Sequence, residues 1–241
     1  MKHVEKIELM SIHYRVMHMI NLVLFTILAL TGALIMYSDD YAILQTMLKP
    51  LGEPVAVFMG LDPDEYAVSS ALLLIRIVHR ITAFIWGVLV VVYILVLLLT
   101  RNIRVFDGLF RSPSIVIAEA KAVILHYVAG APIPEEVEAR MERHNALVGL
   151  AVILLVIGAG LLAVSGTAMV LLDLTPEQYR LFLTLHDIGF YLAMTFLIAH
   201  LFATLHPGNL PLLKAMFGDG KVSLEYAEKH MRAYLKKIGA I

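Results

Sequence analysis

Leu185–Leu205 reads LHDIGFYLAMTFLIAHLFATL, an apolar run that nonetheless carries two imidazoles, His186 and His200. A hydrocarbon layer of about 30 Å is crossed by about 20 helical residues. Three further runs reach that length, at about 17–37, 72–99 and 147–172. With 60% apolar residues and a mean hydropathy of +0.81, the chain has too little polar surface to coat a soluble globule. The expected fold is therefore all-α: an integral membrane four-helix bundle forming a single domain over 1–241. The first run lacks a small-residue cleavage pattern, so it is read as a retained span and not a removed leader.

Outside the spans, Ser112-Pro113 supplies a helix start and Gly130 a stop, which predicts an amphipathic surface helix at about 113–129. In it, apolar Ile115, Ile117, Val123 and Ile124 alternate with Glu119, Lys121 and His126, read as its water-facing side. After the break at Gly130–Pro134, Glu135 to Arg143 is read as a polar helix leading into the third span. A second surface helix is predicted at about 223–237.

The nineteen basic residues set the orientation. Lys2, Lys6 and Arg15 precede the first span, and Arg101, Arg104, Arg111, Lys121, Arg140 and Arg143 occupy the second connection. The tail carries Lys214, Lys221, Lys229, Arg232, Lys236 and Lys237. These faces are expected to be cytoplasmic, placing both termini inside a plasma membrane. The first connection has Lys49 among Asp39, Asp40, Glu53, Asp62, Asp64 and Glu65, and the third has Arg180 beside Asp173 and Glu177, so both should face outward. A net charge of -1 gives no reason to expect nucleic acid; the basic side is suited to anionic lipid head groups.

An ionisable side chain in hydrocarbon is costly enough to be a functional hypothesis by default. Fourteen residues advance a helix by about 1400°, roughly 40° short of four turns, so His186 and His200 share a face about 21 Å apart along the axis. His18 opens the first span on the inner side and His79 the second on the outer side. Because the fourth span runs inward, depth pairs His79 with His186 and His18 with His200. A lone histidine of this kind reads as an interhelical hydrogen bond or a proton relay; four at two matched depths read as axial ligands of two stacked haems. Ligation removes the cost of a bare imidazole in lipid, and imidazole on both faces of the iron suits electron transfer. With no cysteine there is no thioether attachment and no iron–sulfur ligand set, so any haem is b-type.

Arg15 and Arg76 each lie one turn from a histidine, His18 and His79, on the side nearer water, where a guanidinium can pair with a haem propionate or snorkel at a helix end. Gly32 falls fourteen residues beyond His18, at the level of the outer haem, and leaves room for a macrocycle or for helix packing. Gly158, Gly160 and Gly166 are read as packing residues. His13 is turned about 140° from His18 and is a poor ligand. His3, His126 and His230 are read as solvated, while His144 and His206 lie near the inner haem's level.

These residues resemble the cytochrome b (gamma) subunit of membrane-bound formate dehydrogenases, related more distantly to hydrogenase cytochrome b subunits. The resemblance is carried by Arg15-x-x-His18, by His79, by the His186-x13-His200 spacing, and by Gly220-Lys221-Val222-Ser223 followed by Ala227-Glu228-Lys229-His230. It implies two b haems on His18, His79, His186 and His200. It also implies an outer iron–sulfur subunit with a catalytic oxidoreductase subunit, and a menaquinone-type site beside the inner haem. In that family an Asn in a Tyr-Asn-Ala-Gly-Gln-Lys stretch helps bind the quinone. The matching stretch here, His144 to Gly149, keeps the Asn as Asn145 but not the Gly, Gln or Lys. Asn145, His144 and His206 are thus the quinone-site candidates. The expected function is a di-haem membrane cytochrome that anchors a formate dehydrogenase-like complex and passes electrons between the iron–sulfur subunit and quinone. An anchor for a hydrogenase or a sulfur-compound reductase is the nearer alternative. A haem-free transporter or scaffold bundle with proton-relay histidines is the more distant one.

Overall fold

The computed structural model describes residues 5–99 and 107–241; Lys2, His3, Arg101 and Arg104 lie outside the described residues. In chain order the elements are β1 (Lys6–Glu8), α1 (Ile12–Tyr37), α2 (Ala42–Phe58), α3 (Pro63–Leu99), α4 (Pro113–Ala129), α5 (Glu135–Glu138), α6 (Ala146–Leu171), α7 (Pro176–Leu205), α8 (Leu210–Phe217), β2 (Lys221–Ser223), α9 (Leu224–His230) and α10 (Arg232–Lys237). Among the described residues, α1, α3, α6 and α7 are long and apolar enough to cross a membrane. The protein is an all-α integral membrane helical bundle.

A spanning backbone must satisfy its own polar groups, which is why the apolar runs fold as continuous helices. Hydroxyls inside them follow the same rule by bonding the carbonyl four residues back: Thr26 to Leu22, Thr31 to Ile27, Ser165 to Leu161 and Thr195 to Tyr191. Two spans start well before their apolar cores. Pro63 opens α3 with Asp64 and Glu65 in its first turn, and a Thr175–Gln178 capping box with Pro176 opens α7. Both are ordinary start signals that hydropathy alone passes over.

By contacts the chain divides into two compact units, residues 17–96 and residues 1–16 with 97–241. In the first, α2 packs on α3 around Leu48, Ala71, Leu72 and Ile75, with Leu34 and Ile35 of α1 against them. The helix α2 lies in the first connection, where no helix was expected, and holds Pro50 and Pro54 within it. Gly52 lies directly on the Ala67 carbonyl, leaving no room for a Cβ.

In the second unit, α6 and α7 form an antiparallel hairpin. A Cβ on Gly158 would lie 3.0 Å from the Gly189 carbonyl oxygen, and one on Gly189 would lie 2.9 Å from that of Gly158, so the backbones meet closely there. The helix α4 has the expected bounds and ends on Gly130 at φ 65°, the left-handed cap a glycine supplies at little cost.

Three expectations need correction in this unit. The predicted helix 223–237 is broken at Met231, whose φ of −152° ends α9 before α10 begins. The break turns both Met231 and Leu235 into a small core with Leu9, Met10, Ala215, Val222 and Ala227. That core is closed by an antiparallel β1–β2 ribbon pairing Ile7 with Val222, so the tail folds back on the segment preceding the first span. The polar helix expected over 135–143 stops at Glu138. There the Arg140 carbonyl accepts a bond from Arg111, and buried Met141 accepts one from the Ala233 backbone. Glu119, read as water-facing, is 1% exposed.

Replacing Gly52 with Ala forces a methyl into the Ala67 carbonyl and should cost about 1–3 kcal/mol, read as a lower melting temperature of the purified protein in detergent. Gly87→Ala, at a position where a Cβ meets nothing within 4 Å, should leave that temperature unchanged or slightly raised.

Candidate functional site

In the unit 17–96, α1 carries His18 and α3 carries His79, both half-buried. The His79 Nδ1 lies 2.8 Å from the Thr31 Oγ1. That hydroxyl already donates to the Ile27 carbonyl at 2.7 Å. With a single proton spent on the carbonyl, it accepts from the imidazole, so His79 is protonated on Nδ1 and its lone pair is on Nε2. Gly32, the next residue, faces the same ring, and a Cβ there would lie 3.5 Å from His79 Cε1. Asn21 links the two helices by accepting from Trp86 Nε1 at 2.9 Å, with Phe25 set edge-on to the same indole. Arg76 is exposed on α3.

The other unit repeats the device. His186 on α7 has its Nδ1 3.0 Å from the Ser165 Oγ of α6. Ser165 is fully buried and donates to the Leu161 carbonyl at 2.5 Å. With its proton spent there, the hydroxyl accepts from the imidazole, so here too the proton is on Nδ1. A Cβ on Gly166 would come within 3.2 Å of His186 Cε1. His200, on the exposed side of α7, lies flat against Phe196 at 5.5 Å and 13°. Thr31 and Ser165 were missed in the sequence, although each shows there as a hydroxyl followed by glycine inside a span.

Arg15 gives its Nη1 proton to the Gly218 carbonyl, tying the start of α1 to the tail. Asn145 caps α6, its Oδ1 accepting from the Val148 N–H at 3.0 Å. Behind it, Gly108 lies so close to the His144 carbonyl that a Cβ would come within 2.7 Å. Glu119 explains this junction: one carboxylate oxygen takes the Ala146 N–H at 2.7 Å and the other faces Arg111 Nη2 at 2.7 Å. A buried, paired carboxylate at a helix N-terminus also meets the positive end of the helix dipole.

His206 stands in different surroundings from Asn145, in a ring cluster that sequence reading did not foresee. Its neighbours are Tyr127 at 4.8 Å and His126 at 5.5 Å between ring centroids. His126 Nδ1 donates to the Ala131 carbonyl at 2.9 Å, whereas His206 Nδ1 accepts from the Gly208 N–H. Asn209 joins the cluster by donating to the Tyr127 hydroxyl at 2.5 Å, and the Tyr226 ring lies tilted against His230, 4.4 Å between centroids. Burial, with the Tyr127 hydroxyl adding to it, pushes the Tyr226 phenol above its ordinary range. His126 and His230, expected to be solvated, are both half-buried here.

A family model described as prokaryotic cytochrome b561 matches residues 9–219, nearly the whole of the 241-residue chain. No curated protein matches it.

Burial holds the His230 imidazole below its ordinary range, and the Lys229 ammonium and His126 push the same way. Such a histidine stabilises the fold above its unfolded pKa of 6.5, and that contribution is lost as pH falls below it. The melting temperature of the purified protein should therefore fall on acidification from pH 7, and His230→Gln should flatten that dependence.

Proposed function

The chain belongs to the prokaryotic cytochrome b561 family, a family of b-type haem membrane electron-transfer proteins. From this we propose a di-haem anchor that passes electrons between an iron–sulfur subunit on the outer face and the membrane quinone pool. The ligand pairs follow from the sequence spacing: His79 with His186 for the outer haem, His18 with His200 for the inner. When bound, a b haem with imidazole on both faces supplies reversible one-electron chemistry without an open coordination position.

The observation that carries this reading is the tautomer of His79 and His186. Each imidazole is held by a hydroxyl on Nδ1, which leaves the lone pair on Nε2, the nitrogen that binds iron when Nδ1 is engaged. The residues fit the group in a second respect, since glycine stands beside each ring. Arg15 and Arg76, near His18 and His79, supply cations for propionates.

Electrons delivered on the outer side would leave on the cytoplasmic side, where a quinone takes two electrons and two protons to become a quinol. Taking those protons from inside separates charge across the membrane. Asn145 would bind the quinone, with His144 and His206 as further contacts. The complex is formate dehydrogenase-like, with the primary oxidation carried out by a separate catalytic subunit and the chain as a multi-pass plasma membrane protein with both termini inside.

Replacing His186 or His79 with Ala should abolish one of two reducible haem absorbances in the purified protein; retention of both would overturn the ligand assignment. A haem-free transporter would show no such absorbance at all. Asn145→Ser keeps the helix cap but removes the amide, so quinone-coupled turnover should fall at least about tenfold, the scale of one lost hydrogen bond to substrate. Unchanged turnover would remove Asn145 from the site.

A further inference from the structure

We propose that Thr31 and Ser165 are positioning residues for the redox centre: each holds its histidine in the Nδ1–H form and sets how strongly that imidazole donates to iron. The inference rests on the reading of His79 and His186 as haem ligands and assigns each ligand its controlling partner.

The same three-residue device occurs in both units, a hydroxyl followed by glycine on one helix facing a histidine on another. In one, Thr31-Gly32 of α1 faces His79 of α3; in the other, Ser165-Gly166 of α6 faces His186 of α7. In each, the hydroxyl donates backwards along its own helix, at 2.7 Å to Ile27 and 2.5 Å to Leu161. A hydroxyl whose proton is committed to a carbonyl presents only lone pairs to the ring. The proton between the two side chains therefore belongs to the imidazole, and the carbonyl's pull on the O–H has the side effect of fixing that direction. An acceptor on Nδ1–H raises ligand basicity and fixes ring orientation. A neutral hydroxyl does so less than a carboxylate would, and keeps the imidazole neutral in a region where charge is costly.

The glycines divide by distance. At Gly166 a Cβ would stand 3.2 Å from the His186 ring, closer than side chains normally approach, so the ring would have to tilt off its hydroxyl. At Gly32 the corresponding 3.5 Å is ordinary contact, and a methyl should be accommodated.

Ordinary helix glue gives a different signature. Interhelical hydroxyl bonds of that kind contribute about 0.6 kcal/mol to stability and leave a bound haem's potential untouched. The test is a redox titration of the full-length, haem-loaded protein carrying Ser165→Ala or Thr31→Val. Each removes an acceptor from Nδ1–H, weakens donation to iron and favours the ferrous form. One haem's midpoint should therefore rise by about 59 mV, a tenfold change in the one-electron equilibrium. Thr31→Ser, which retains a hydroxyl, should return the wild-type value, and Gly166→Ala should shift the midpoint where Gly32→Ala does not. Ser165 is fully buried, so Thr31→Val in the separate unit serves if Ser165→Ala does not fold. Unchanged midpoints in a folded variant that keeps both haems would overturn the inference while leaving the ligands in place. Retention of both haems in His186→Ala or His79→Ala would instead remove the reading on which it rests.

Discussion

Hydrocarbon offers no hydrogen bonds, so every polar atom placed in a spanning helix must be answered by another protein atom or by a ligand. This governs the molecule from the backbone outward. The helices answer their own N–H and C=O groups, and the hydroxyls of Thr26, Thr31, Ser165 and Thr195 answer themselves against the carbonyl one turn back. The imidazoles of His79 and His186 are answered from a neighbouring helix, by the hydroxyls of Thr31 and Ser165.

The spans were legible because hydropathy integrates over about 20 residues and tolerates an isolated histidine. The helix starts were less so. Pro63 and Thr175–Gln178 are local signals outside the apolar window, and they lengthen α3 and α7 into segments whose composition resembles a loop. The tail failed as a single helix for another reason. A uniform amphipathic pattern over 223–237 does not reveal that Met231 and Leu235 pack into one core together with Leu9 and Met10, more than 200 residues earlier. Glu119 shows the limit most sharply: a carboxylate reads as water-facing by type, yet it shares the i, i+4 stripe of Ile115 and buried Val123, where the Ala146 N–H and Arg111 capture it at 1% exposure.

Spacing singles out the four histidines in the sequence, but not the residues that meet them. Spacing reports which residues share a face of one helix; it carries no information on which atom of another helix meets that face. Thr31 and Ser165 are unremarkable in composition, since small hydroxyl residues are common where membrane helices pack. They become informative only through the direction of their own hydrogen bonds. Asn145 shows the converse. The sequence marks it as a site residue, whereas the fold gives it an immediate structural task, capping α6, so any role toward a ligand must be separated from that task.

The two histidines of α7 are held in different ways. Ser165 fixes both the rotation of the His186 ring and the nitrogen that carries its proton, and Gly166 lets the ring lie close against α6. The stack of His200 on Phe196, parallel to within 13°, fixes the plane of a ring, but an aromatic face does not distinguish one imidazole tautomer from the other. One helix therefore presents two imidazoles about 21 Å apart beside unlike neighbours, a buried hydroxyl from another helix at His186 and an aromatic ring of its own helix at His200.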